Sequence, residues 1–107
     1  MHELNLKAQE ALSSIYGYDV VTDGFGYHSM TLSIEHGLHA LSEGHPLETI
    51  AEAIHEGWAK AAHMFDSPEH EPNEAKRKRR VELATTSYSQ LSEDEKEKDR
   101  VIARVLL

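Results

Sequence analysis

Apolar residues recur at helical spacing along most of this chain. Leu4, Ala8, Ala11, Leu12 and Ile15 share one face of a segment over residues 3–16, and Gly17 follows directly as a stop signal. Met30, Ile34, Leu38 and Leu41 form a second stripe, predicting a helix from about residue 27 to residue 42. Gly37 inside it weakens that helix by about 1 kcal/mol relative to Ala and points to close approach of another backbone. Gly44-His45-Pro46 breaks the pattern, and Pro46 suits the first turn of a further helix, where its missing N–H leaves nothing unpaired. There the stripe is cleanest: Leu47, Ile50, Ile54, Trp58, Ala61 and Phe65 face the core, with Glu48, Glu52, Glu56 and Lys60 opposite.

The intervening segments read differently. Residues 18–26 mix β-branched and aromatic residues with an Asp23-Gly24 turn signal, which predicts a loop of partly extended character. Residues 66–72 carry two prolines and no apolar residue, so nothing there compensates ordering by burial, and an exposed linker is expected. From Asn73 to about Leu83 a helix capped by Asn73 is possible, anchored only by Ala75, Val81 and Leu83. The last helix has the strongest start signal. Ser92 and Glu95 form a capping box, Glu93, Asp94 and Glu95 sit at the positive end of the dipole, and Asp94 pairs in spacing with Lys98. Val101, Ile102, Val105 and Leu106 then give an apolar face that must dock on the core or on a second copy. The expectation is a mostly α, small single-domain protein of four to five helices, with residues 1–46 and 47–107 as two parts of one compact unit.

Composition narrows the chemistry. Cysteine is absent, which removes thiolate metal sites and cysteine nucleophiles and fits a reducing, cytoplasmic setting. No stretch approaches the roughly 20 apolar residues of a membrane span, and no signal pattern opens the chain. A net charge of -8 repels phosphate backbones. Five of the eleven basic residues lie in the single run Lys76-Arg77-Lys78-Arg79-Arg80, so nucleic acid is disfavoured as a main ligand. That run reads as a phosphate or nucleotide grip, a localisation-like tract, or a solvated turn balancing the acidic linker.

Eight histidines raise a metal hypothesis. His36 and His39, three apart on a helix, have a suitable spacing to chelate with Glu35 or His45, and His55 and His63 form a second pair. The H-E-x-x-H signature is incomplete after His55-Glu56, and scattered surface histidines give the same pattern. Glu48, Glu52 and Glu56 have the spacing of magnesium ligands and equally that of a solvated helix face. No serine lies in a nucleophile elbow. No cofactor is expected.

The block Ile50-Ala51-Glu52-Ala53-Ile54-His55-Glu56-Gly57-Trp58-Ala59-Lys60, with the later Tyr88-Ser89-Gln90-Leu91-Ser92-Glu93-Asp94-Glu95-Lys96-Glu97-Lys98-Asp99-Arg100, resembles the ryanodine-receptor repeat (RyR) domain. That module opens with A-x-x-x-H-x-x-W and closes with Y-x-x-L-x-x-x-E-K-x-x-D-R. His55, Trp58, Tyr88, Leu91, Glu95, Lys96, Asp99 and Arg100 fall on those positions. The family's glycine-tryptophan-tyrosine-glycine segment is replaced by the acidic proline linker, and its proline before the tyrosine is Ser87. The resemblance implies a non-catalytic binding module of phage or bacterial type. It would act as an accessory or counter-defence protein in the host cytoplasm, engaging a host protein or a small nucleotide-like ligand. His55, Trp58, Arg79, Arg80, Tyr88 and Arg100 are the ligand-contact candidates. Two other classes remain open: a small metal-dependent hydrolase of nucleotides using His36, His39, Glu52 or His55, and a structural homo-oligomer.

Overall fold

The periodic segments all become helices. A computed structural model describes residues 1–107 as α1 (His2–Tyr16), α2 (Gly24–Ser42), α3 (Leu47–Met64), α4 (Glu74–Thr85), a single 3-10 turn (Tyr88–Gln90) and α5 (Glu93–Leu106), with no strand. The chemistry of each end matches its sequence signal. Gly17 closes α1 in the left-handed conformation (φ 75°), and its N–H donates to Ser13 O. The side chains of Asn73 and Ser92 accept from the N–H groups of Lys76 and Glu95, capping α4 and α5.

α2 and α3, joined by a four-residue turn, form the central helical hairpin and share the most extensive interface. Gly57 sets their distance. A Cβ there would lie 2.7 Å from the carbonyl carbon of Leu32 and 2.9 Å from Cα of Ser33, so the α2 backbone runs directly against this glycine. Gly37 plays a different part from the one anticipated: it admits the side chains of Leu106 and Ile54 rather than a backbone. α5 lies on α3 and α1, α4 on α3, and Ile34, Ile50, Ile54, Leu91 and Ile102 form the core. The radius of gyration of 13.0 Å is that of one compact unit of this length.

Three expectations change. Ile15 is exposed, and the inner face of α1 is instead completed by Asn5 and Gln9, both buried. Asn5 Nδ2 donates to Tyr27 O and Thr31 Oγ1, each at 2.9 Å, while the Gln9 amide donates to Val21 O at 2.8 Å and accepts from Val21 N at 2.7 Å. That reciprocal pair anchors the loop at 17–23 on α1, and no strand forms there. α2 starts at Gly24, three residues earlier than predicted, because Asp23 with extended backbone serves as its N-terminal flank. The 66–72 segment is mostly exposed, as expected of a linker, yet it is tied down by charge. Arg80 pairs with Glu71 at 3.0 Å, Arg77 donates to Glu71 O at 2.9 Å, and Arg77 lies 3.5 Å from Asp66. Two residues of the basic run, Arg77 and Arg80, are thus balanced by the acidic turn before it, while Lys78 and Arg79 pair within α4 with Glu74 and Glu82. The C-terminal apolar face docks on the chain's own core, with Val101, Ile102 and Ala103 buried and Val105 and Leu106 packed beside them.

Candidate functional site

A cleft of about 510 Å³ opens where α1, the 17–23 loop, α2, α3, α4 and α5 meet, and His55, Trp58 and Arg80 line it. Its base is polar. On α3, His55 is 6% exposed and its Nε2 lies 2.8 Å from Thr86 O, which as a carbonyl can only accept. Nε2 therefore carries a proton and donates it to this carbonyl, which leaves Nδ1 as the ring nitrogen turned toward the cleft. Facing it, 3.9 Å away, is Oδ2 of Asp99 from α5, too far for a hydrogen bond. Burial, reinforced by the nearby Glu95 carboxylate and only partly offset by Lys98, pushes the Asp99 carboxyl up to about 8. At neutral pH it is chiefly an uncharged acid with one O–H to donate.

The walls are aromatic. Trp58 lies nearly parallel to the His55 ring at a centroid distance of 6.1 Å and meets Phe25 edge-on at 5.9 Å. The Arg80 guanidinium sits 4.2 Å above the Phe25 ring, at the side where α4 closes the cleft. Lys98 approaches the Tyr18 and Tyr16 rings at 5.5 and 5.8 Å and pairs with Glu95 at 3.3 Å. Burial works against its charge, but Tyr18 and Glu95 outweigh that and leave its pKa raised.

The other three candidates lie outside this cleft. Tyr88 and Arg100 belong to a clamp on the α3 N-terminus. The Tyr88 hydroxyl donates to Glu48 Oε2 at 3.0 Å, and Arg100 donates to Glu48 Oε1 at 2.6 Å, to Glu48 Oε2 at 3.3 Å and to Glu93 at 3.0 Å. Burial and the Glu48 carboxylate push the Tyr88 phenol up to about 12, while the Arg100 hydrogen bonds hold Glu48 below the usual carboxylate range. With these atoms committed to one another, the clamp fastens α5 and the 3-10 turn to α3. Arg79 points to solvent beside Glu82 at 3.6 Å.

His36, His39 and Glu52 line a separate, shallower groove of about 390 Å³, and His55 is not among its residues. His39 and His45 both approach Glu43, at 3.4 and 3.7 Å, but no group of three or more His, Asp or Glu is arranged to hold a metal ion. Asp99, named in the sequence only as a position of the closing motif, was not counted as a ligand contact. Phe25, Tyr18 and Lys98 were also missed; the first two sit in a segment without periodicity, and Lys98 reads as one half of a surface ion pair. No helix is long and apolar enough to cross a membrane. No family model, curated protein or solved structure matches the chain.

Proposed function

We propose that this chain is a non-enzymatic binding module of the ryanodine-receptor-repeat type, a phage-type accessory or counter-defence protein whose central cleft takes a nucleotide-like small ligand. One observation carries the reading: His55 and Trp58 from one turn of α3 and Arg80 from α4 line a single cleft of about 510 Å³ with aromatic walls and a polar base. That volume suits a small ligand rather than a protein segment. Trp58 offers a surface for a flat ring, and Arg80, stacked over Phe25 in the same cleft, supplies a cation for an anionic group. Binding is favoured by what the walls supply, flat aromatic faces and a guanidinium, which is recognition chemistry.

Trp58 is the only tryptophan in the chain, so its fluorescence reports on the cleft directly. Titration with nucleoside monophosphates should quench it saturably, and Arg80→Ala should weaken the binding about tenfold, the loss expected for a charge-assisted contact. Absence of saturation up to millimolar nucleotide would sink the proposal.

A further inference from the structure

The cation that the cleft wall offers already has a counter-ion from the chain itself. Nη2 of Arg80 lies 3.0 Å from Oε1 of Glu71, while the guanidinium carbon sits 4.2 Å from the centre of the Phe25 ring. The ring covers one face of the guanidinium, and Glu71 takes part of its edge. This pair stands apart from the ion pairs within α4. The Arg80 and Glu71 side chains are 26% and 16% exposed, whereas Lys78, Glu74, Arg79 and Glu82 are each at least 64% exposed, so the Glu71 pair is the less screened by solvent. Glu71 is itself held by the turn. Its Oε2 accepts from the Asn73 N–H at 3.2 Å, and its backbone oxygen accepts from Arg77 at 2.9 Å. Arg80 lines the cleft and Glu71 does not, so the carboxylate reaches the guanidinium from outside.

We infer that Glu71 is a built-in competitor for Arg80: an anionic group entering the cleft takes the guanidinium from Glu71 and releases the acidic turn at 66–72. The inference rests on the nucleotide-like reading and adds its regulation. Two anions in contact with one guanidinium repel each other, and the net charge of -8 gives the second anion no compensating attraction. The anion of the ligand therefore binds at the expense of the Glu71 pair. Its apparent affinity is lowered by the share of molecules in which Glu71 holds Arg80. Once displaced, the carboxylate no longer accepts from the Asn73 N–H, so occupancy of the cleft is felt at the start of α4. An uncharged ligand on the same aromatic wall has no quarrel with Glu71 and leaves the turn in place.

The test is a Trp58 fluorescence titration of the full chain and of Glu71→Gln with adenosine monophosphate and with adenosine, which lacks the anion. Gln keeps an acceptor for the Asn73 N–H and removes the charge. Adenosine monophosphate should bind Glu71→Gln about three- to tenfold more tightly than wild type, the range for a half-buried ion pair, and adenosine should show no such gain. An affinity for adenosine monophosphate within about twofold of wild type, a weaker one, or an equal gain for both ligands overturns the competitor reading and leaves nucleotide binding standing. Binding of neither ligand to either protein overturns both. A second measurement needs no variant: in NMR spectra of the wild type, the Asn73 amide proton should move upfield as adenosine monophosphate is added and hold still with adenosine. An unmoved Asn73 amide at saturation shows that Glu71 is not displaced and overturns the inference, whatever the variant does.

Discussion

Replacing Asp99 by Asn measures what an ionisable group costs at the base of the cleft. The side chain is 13% exposed, and its pKa rises from 3.8 to about 8 on folding. The folded protein therefore holds this proton more tightly than the unfolded chain does. The stability tied to it is complete below the unfolded pKa of 3.8, falls as the pH rises, and is lost above about 8. At about 1.4 kcal/mol per pKa unit, the wild type should lose at most about 4 kcal/mol from this group between pH 5 and pH 9. Opening of the cleft to solvent and relaxation around the charge reduce that, and about 2 kcal/mol is the smallest loss consistent with so buried a site. Asn has the shape of the neutral acid and cannot ionise, so the variant lacks this slope. Urea unfolding of both proteins at pH 5, 7 and 9 isolates the effect, since the other titrating groups are common to both. Relative to wild type, Asp99→Asn should gain about 2–4 kcal/mol on going from pH 5 to pH 9. A difference that stays constant within about 0.5 kcal/mol across that range would refute the assignment of a neutral, buried carboxyl.

Further predictions concern the scaffold. Gly57→Ala should destabilise the fold by about 1–3 kcal/mol despite the helix-propensity gain, because its methyl meets the α2 backbone; Gly37→Ala should cost less, since the atoms it meets are ends of the Leu106 and Ile54 side chains. Thermal melts of the two variants rank them, and the reverse order would show that the α2–α3 contact is not set by Gly57. Gln9→Ala removes both bonds to the Val21 backbone and should lower stability by about 2 kcal/mol, with hydrogen exchange at the Val21 amide rising before any core amide. Ser92→Ala should cost about 1 kcal/mol in denaturant unfolding through loss of the α5 cap.

The helices were legible because burial on one side of a helix leaves a period in the sequence, and α3 and α5 show it most clearly. What periodicity could not reveal were the places where polar groups do the packing. Asn5 and Gln9 look like solvated positions until Tyr27, Thr31 and Val21 are seen to satisfy them. The acidic turn at 66–72 has no apolar residue to report its order, which comes from Arg77 and Arg80 folding back from α4. The site divides in the same way. Trp58 was visible on the inward face of a strong helix, His55 through the motif it shares with Trp58, and Arg80 as part of a conspicuous charge run. Phe25 reached the cleft only because α2 begins at Gly24, an outcome the Asp-Gly turn signal concealed. Tyr88 and Arg100 stood in the same closing motif as Asp99, yet only Asp99 faces the cleft, because Glu48 on the first turn of α3 draws the other two to its own side.

α4 contains no buried residue, although it furnishes Arg80 and Leu83 to the wall of the cleft. Its ion pairs to other segments, Arg77 with Asp66 and Arg80 with Glu71, reach back to the turn before it, so turn and helix form one charged strap laid over α3 and joined to it by Leu83 and by the Thr86–His55 bond. Salt would loosen the pairing inside that strap and leave the apolar hairpin beneath it untouched.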